Sequence, residues 1–466
     1  MDPDILRPAF EHALGFLGGL PDRHVDATAS PSELRAALDV PLSDGGVPAA
    51  DVIDELVAAV DPGLVASAGP RFFGFVVGGS QPVALAADVL TSAWDQNAGL
   101  FASSPGAAVV EEVAGRWIVD LLGLPASSSV GFVTGGQMAN VTALAAARHE
   151  VLARVGWDVE EQGLAGAPPV DIVVGERAHA TIFAALRLLG FGAARTRRVP
   201  ADGQGRMLPA ALDRTLSESG GPAIVCAQAG EVNTGAFDPL DEIADAAAAR
   251  GAWLHVDGAF GLWAAASPSR RALLAGMRRA DSWATDAHKW LNVPYDSGLA
   301  IVNNPPAHRA AFGLNAAYLD PGAEHDPYEY TPEASRRARG FAVYATLRAL
   351  GRDGVAELVD RCCDLAVRMG EALDAHPRLH VLNDVVLNQV LVRLDAPAER
   401  LAGATADTIA RIRRDGTCWL GGTVWDGAPA IRVSISNWST TAGDVDRSAA
   451  AIMEAAAAAL EPVATS

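Results

Sequence analysis

Lysine is all but missing from this sequence: of 36 lysines and arginines, Lys289 is the one lysine and the rest are arginine. Cysteine is scarce too. Cys226, Cys362, Cys363 and Cys418 are the whole complement in 466 residues, and their spacing suits neither a disulfide framework nor a zinc motif, which fits a reducing compartment. Basic charge falls short of acidic by 36 to 56, a formal net charge of −20. That balance argues against nucleic acids and anionic membranes as partners, since both need a basic face. Long apolar runs are lacking; none approaches the ~18 to 20 residues that cross a bilayer. The opening MDPDILRPAFEHAL starts acidic and has no basic-then-apolar stretch, unlike a secretory signal. The expectation is a cytoplasmic globular protein with no nucleic-acid or membrane partner.

The lone lysine then becomes informative. Surface cations can be either residue, so near-total replacement by arginine marks the place where arginine does not serve. A guanidinium stays protonated and forms no ordinary imine, whereas a lysine amine can lose its proton and attack a carbonyl. Lys289 is therefore a candidate for covalent chemistry; the alternative is a surface lysine left by chance.

Residues 1–70 read as helical with loops, from the amphipathic stretches SPSELRAALDV and PAADVIDELVAAV and their Ser, Pro and Asp start signals. A Gly-rich stretch, RFFGFVVGGSQP, leads into a helical region from Val83 to Leu122. From Gly131 to about Asn304, short apolar strands (VGFVT, DIVVGE, AIVCAQ, WLHVDGAF, SGLAIVNN) alternate with helical stretches, including SRRALLAGMRRA. Such alternation predicts an α/β domain whose mostly parallel sheet carries helices on both faces and binds ligands at the strands' carboxyl ends. The segment Tyr318 to Ser335, rich in Pro, Gly and acids, reads as a loop. A long helical stretch, two strand-like segments and a final Ala-rich helix follow, as in a smaller α+β domain. The expected division is 1–70, 71–310 and 311–466, with a mobile loop near 318–335.

Five stretches carry chemistry. His255-Val256-Asp257-Gly258-Ala259 ends a predicted strand, where an ionised carboxylate meets a ligand unobstructed and keeps a ring nitrogen protonated. A metal site of His255, Asp257 and His288, or a structural turn, would use the same residues. Asp286-Ala287-His288-Lys289-Trp290 follows after one intervening helix. Thr134-Gly135-Gly136-Gln137 stands between a strand and a helix, so backbone N–H groups and the helix N-terminus can hold a phosphate. His179 opens a helix, either to stack on a cofactor ring or merely to cap it. Arg432, in AIRVSISNW, suits a substrate carboxylate or a surface ion pair.

As a set, HVDGAFG and DAHKWLN, preceded by TGGQMAN and AHATI, resemble the pyridoxal-phosphate-dependent group II decarboxylases, the aromatic amino acid, glutamate and tyrosine decarboxylase group of fold type I. The resemblance runs from about Arg71 to Ala450. It implies a seven-stranded, mostly parallel sheet, a small C-terminal domain, and no metal. It implies pyridoxal phosphate as a Schiff base on Lys289, Asp257 on the pyridine nitrogen, and His179 and Ala259 on the two ring faces. The phosphate would sit on Gly135, Gly136 and Gln137 with the turn from Thr285 to His288, and Arg432 would receive the substrate carboxylate. A homodimer is implied, with sites at the interface and the N-terminal segment wrapping the partner.

Three departures stand out. Phe75-Val76-Val77-Gly78 replaces the bulky aromatic and Pro residues of aromatic-specific relatives near the substrate. Asp286 stands where many relatives have Asn. No tyrosine falls on the position of the loop tyrosine that returns a proton to the substrate carbon, although Tyr328 and Tyr330 lie close. The expected reaction is decarboxylation of an L-amino acid to its amine; aldehyde-forming decarboxylation, aldol cleavage and transamination are the rivals on the same scaffold.

Overall fold

The computed structural model describes residues 5–314 and 326–461, so Tyr318 and the first part of the expected loop lie outside the described residues. The chain divides into two compact units. The larger comprises Gly78–Ala366 and Asn383–Gln389; the smaller comprises Met1–Val77, Val367–Leu382 and Val390–Ser466.

The larger unit is built on seven strands: β1 (Ser129–Val133), β2 (Asp171–Gly175), β3 (Arg197–Val199), β4 (Ala223–Gln228), β5 (Trp253–Asp257), β6 (Ser282–Asp286) and β7 (Gly298–Val302). Their order is β1-β7-β6-β5-β4-β2-β3. Every pairing from β6 through β5, β4 and β2 to β3 is parallel, and β7 alone runs in reverse, antiparallel to β1 and β6. All strands but β7 therefore end at one edge. Burial on both faces explains the near-continuous apolar runs of β4 and β7. The helix Gly136–Ala153 leaves β1 and packs across β5, β6 and β7. It is buried on nearly every side, so small and apolar residues go all the way round rather than forming a stripe.

Several elements differ from expectation, each for a local reason. The Val83–Leu122 region is two helices, Pro82–Trp94 and Pro105–Leu121, the first ending at Asp95 in the left-handed region (φ 48°). SRRALLAGMRRA forms two short 3-10 turns, Arg271–Leu274 and Met277–Arg279. Gly276 between them has φ 86°, and a Cβ there would stand 2.5 Å from the Asp241 backbone, so close approach prevails over helix propensity. β3 and β6 escape a reading by apolar pattern because RRV and SWATD carry polar residues.

The smaller unit has a sheet of β8 (Leu379–Val381), β9 (Gln389–Leu394), β10 (Gly421–Trp425) and β11 (Ala428–Ser434) in the order β10-β11-β9-β8. The helix Ala398–Asp415 packs on β10, β11 and the helix Ala442–Leu460. A capping box of Thr441 and Asp444 opens the latter. The N-terminal helices Leu6–Gly19, Pro31–Leu38 and Ala49–Val60 bury no residue in this chain. Among the described residues, no helix is long and apolar enough to cross a membrane.

Candidate active site

The carboxyl edge of the large sheet gathers most of the residues singled out by sequence. Asp257 ends β5 and is 4% exposed. Its Oδ1 accepts from the Ala259 amide (3.1 Å) and its Oδ2 from Asn140 Nδ2 (3.2 Å). Both donors are neutral. Burial pushes this carboxylate above the usual range, while His179 and Lys289 pull it back. It is a buried anion arranged for a cationic partner.

β6 ends at Asp286, and Lys289 follows three residues on. Lys289 Nζ lies 3.1 Å from Asp286 Oδ2, with the lysine side chain 22% exposed and the aspartate side chain 2%. His288 Nδ1 accepts from the Ser297 amide (3.0 Å), which leaves the proton on Nε2, 3.4 Å from Asp286 Oδ1. Burial lowers the His288 pKa below its usual value. Tyr295 stacks on that imidazole with centroids 4.2 Å apart. The Thr285 hydroxyl donates to the Ala259 carbonyl at 3.4 Å, tying the end of β6 to the turn after β5. Close packing fixes the lysine from behind: a Cβ on Gly78 would stand 1.9 Å from the Lys289 carbonyl oxygen.

The glycines after β1 meet this cluster. A Cβ on Gly135 would lie 3.0 Å from His288 Cε1, and one on Gly136 2.7 Å from Asp286 Oδ2. Gly135, Gly136 and Gln137 thus form an open backbone cradle at the N-terminus of the helix Gly136–Ala153, where free N–H groups and the helix dipole suit an anion. His179 N-caps the helix Ala180–Leu188 through Nδ1, which accepts from the Thr181 amide (3.4 Å). The cap orients the ring and leaves the residue exposed.

The remaining candidates lie on other elements. Tyr328 and Tyr330 are buried, and the Tyr330 ring meets His308 edge-on at 5.2 Å. His308 Nδ1 is 2.8 Å from the Ser129 hydroxyl, at the start of β1. Tyr330 therefore sits at the opposite end of the strands from Lys289. Phe75 and Arg432 belong to the smaller unit. Phe75 and Val76 are both left-handed (φ 54° and 60°), a strained pair for non-glycine residues. The Phe75 ring lies 5.3 Å from that of Trp419. Arg432 is on β11 opposite Gly421 of β10. Sequence reasoning gave Asn140, the last residue of TGGQMAN, no role of its own, and missed Tyr295, which stands six residues past Lys289 with no motif to mark it.

The residues present fit pyridoxal phosphate: a reactive amine, a buried carboxylate for a protonated ring nitrogen, and a backbone cradle for an anion opened by two glycines. Asp286 is the one discordant charge. A lysine so placed on a mostly parallel sheet defines the class of fold type I pyridoxal-phosphate enzymes. The chain belongs to the pyridoxal-dependent decarboxylase family, whose conserved domain matches residues 31–395, and pyridoxal phosphate is its cofactor. It is 33% identical to the L-2,4-diaminobutyrate decarboxylase of Rhizobium meliloti (strain 1021) over 80% of this chain and 75% of that one. It is 32% identical to the acidic amino acid decarboxylase GADL1 of Mus musculus over 72% of this chain; the match spans 62% of the mouse protein's length. A solved structure of Oryza sativa TDC with PLP and tryptamine shares the fold, with a TM-score of 0.91, 24% identity and 99% of both chains covered.

Proposed function

We propose that this chain decarboxylates an L-amino acid to its amine and carbon dioxide, using Lys289 as the covalent attachment point for the cofactor. The observation that carries this reading is the buried Asp257 carboxylate, held by two neutral donors at the same sheet edge as the lysine amine. Pyridoxal phosphate, once bound, supplies the electron sink for the pair left behind when carbon dioxide departs. Asp257 holds a proton on the ring nitrogen and so keeps that sink deep. The amides of Gly136 and Gln137 with Thr285 and His288 hold the phosphate; His179 and Ala259 confine the ring between them. Arg432 receives the substrate carboxylate, and Phe75 lines the substrate pocket. Relatives named for acidic, diamino and aromatic substrates leave the side-chain class to be measured.

The partner proposed is a second copy of this chain. The exposed Leu14, Leu17, Val52 and Leu56 on the N-terminal helices support it, as apolar faces that a protomer does not cover. The cellular location proposed is the cytoplasm.

A second reading, aldehyde-forming decarboxylation, is favoured by one observation. Returning a proton to the substrate carbon needs a placed acid, and Tyr330 is engaged with His308 at the far end of the strands. Incubation with a panel of amino acids, scoring carbon dioxide, amine, aldehyde and peroxide, tests both. Amine with stoichiometric carbon dioxide supports the first reading; aldehyde with peroxide supports the second. An oxo acid without carbon dioxide overturns both.

A further inference from the structure

Behind Asp257 runs a chain of buried polar groups. Trp253 Nε1 donates to Ser282 Oγ at 2.9 Å. Ser282 Oγ is 2.9 Å from His255 Nδ1, and His255 Nε2 is 2.9 Å from Asn140 Oδ1. Asn140 Nδ2 then donates to Asp257 Oδ2 at 3.2 Å. Trp253, His255, Ser282 and Asn140 all have 0% exposure. Trp253, His255 and Asp257 alternate along β5 and so project to one face, while Ser282 faces His255 across the β5–β6 pairing.

The direction of the bonds in this chain follows from its carboxylate end and agrees with its indole end. An indole N–H can only donate, so it takes a lone pair of Ser282 and frees the hydroxyl proton for His255 Nδ1. At the other end a carboxylate can only accept, so Asn140 turns its NH2 toward Asp257 and its carbonyl toward His255. That carbonyl needs a donor, which must be Nε2–H. The carboxylate end thus demands the Nε2–H tautomer, and the indole end is compatible with it. Burial also pushes the His255 pKa down to about 3. The titratable groups around it are Cys226, its neighbour across β4, and Asp257 itself.

We propose that His255 is a positioning residue for Asp257: locked as the Nε2–H tautomer, it fixes the Asn140 amide and thereby the orientation of the carboxylate presented to the cofactor ring nitrogen. The proposal rests on the assignment of Asp257 to that nitrogen. Reversal of the Asn140 amide would set its carbonyl against the carboxylate and its NH2 against Nε2–H, two repulsive contacts in a dry interior. Asn140 also lies one turn from Gly136, so the same amide sets the span between the anion cradle and the ring-nitrogen site.

The test uses holoenzyme carrying pyridoxal phosphate labelled with 15N in the ring. The ring-nitrogen shift is followed against pH, cofactor affinity is measured by equilibrium dialysis, and the His255 tautomer is read from long-range 1H–15N couplings, assigned by their loss in His255→Gln. The expected wild-type result is a protonated ring nitrogen and an Nε2–H tautomer. In His255→Leu the ring nitrogen should lose its proton at lower pH, and affinity should fall about tenfold, as for one lost hydrogen bond to a charged group. His255→Gln can donate to Asn140 and accept from Ser282, so it should restore both readouts. Should His255→Leu not fold, Ser282→Ala and the wild-type tautomer decide. An Nδ1–H tautomer, or a leucine variant with wild-type affinity and ring protonation, overturns the proposal. A wild-type ring nitrogen that is unprotonated instead overturns the Asp257 assignment, and the positioning role falls with it.

Discussion

Asp286→Asn should tighten the binding of pyridoxal phosphate. The Asp286 side chain is 2% exposed, and its Oδ2 stands 2.7 Å from the place a Gly136 Cβ would occupy. An anion on the Gly136 and Gln137 amides therefore comes within a few ångströms of a buried carboxylate. In the chain alone, Lys289 Nζ offsets that charge from 3.1 Å; when Nζ is committed to the cofactor, the offset weakens. Two unit charges about 5 Å apart at an effective dielectric of about 20 repel by roughly 3 kcal/mol. Discounting by half for His288 Nε2–H beside Oδ1, about 1.5 kcal/mol remains, close to tenfold in affinity. Asparagine keeps the shape and removes the charge. Equilibrium dialysis of apoprotein against pyridoxal phosphate, wild type beside variant, reads the change directly. Unchanged or weaker binding by a variant with a normal melting temperature would refute the repulsion argument and make Asp286 a contributor to the site.

Borohydride reduction of the loaded protein should fix the cofactor to the Lys289 peptide and leave Lys289→Ala unlabelled; label on any residue other than Lys289 or the N-terminal amine would sink the attachment. Asp257→Asn should fold yet lose at least about a hundredfold in turnover, near 2.7 kcal/mol of barrier, and a rate within about twofold of wild type would remove Asp257 from the electron-sink role. Arg336, whose side chain is 0% exposed, donates to Glu111 (2.8 Å) and to the Ala98 and Phe132 carbonyls (2.6 Å each). Arg336→Met strands a buried Glu111 and should cost about 3–5 kcal/mol in urea unfolding, part of it recovered by adding Glu111→Gln; no recovery would mean the pair is not coupled. His255 binds its proton more weakly folded, at about 3, than at its ordinary 6.5. Its contribution to apoprotein stability is thus complete above pH 6.5 and is lost as pH falls toward 3, reaching roughly 2–3 kcal/mol near pH 4.5. His255→Gln should flatten that acid limb, and an identical limb in both proteins would contradict the buried neutral imidazole.

The parallel sheet is legible in the sequence because its central strands are short apolar runs, each followed by a small or polar residue at the carboxyl end. The gathering of Gly135, Asp257, Thr285 and Lys289 at one edge follows from that order. What is not legible comes from contacts across long separations. Glu111 and Arg336 are 225 residues apart and look like surface charges. Asn140 is one polar residue among alanines, and only the fold sets it between His255 and Asp257. The segment Pro327–Tyr330 has a loop's composition, yet Tyr330 packs on His308 and Glu329 pairs with Arg309 (2.8 Å), so the turn is buried against its own unit.

The distribution of nucleophiles has a practical consequence for anyone labelling this protein. All four cysteines are buried, and burial raises each thiol above its usual range, so thiol reagents find no thiolate at the surface. Amine reagents find Lys289 and the N-terminal amine and no other primary amine. Reagents that decorate the outside of most proteins would here report on the interior of one site. Stoichiometric acylation, corrected for the N-terminus, becomes a count of cofactor-free sites, and protection by bound cofactor becomes an occupancy measurement that needs no knowledge of the substrate.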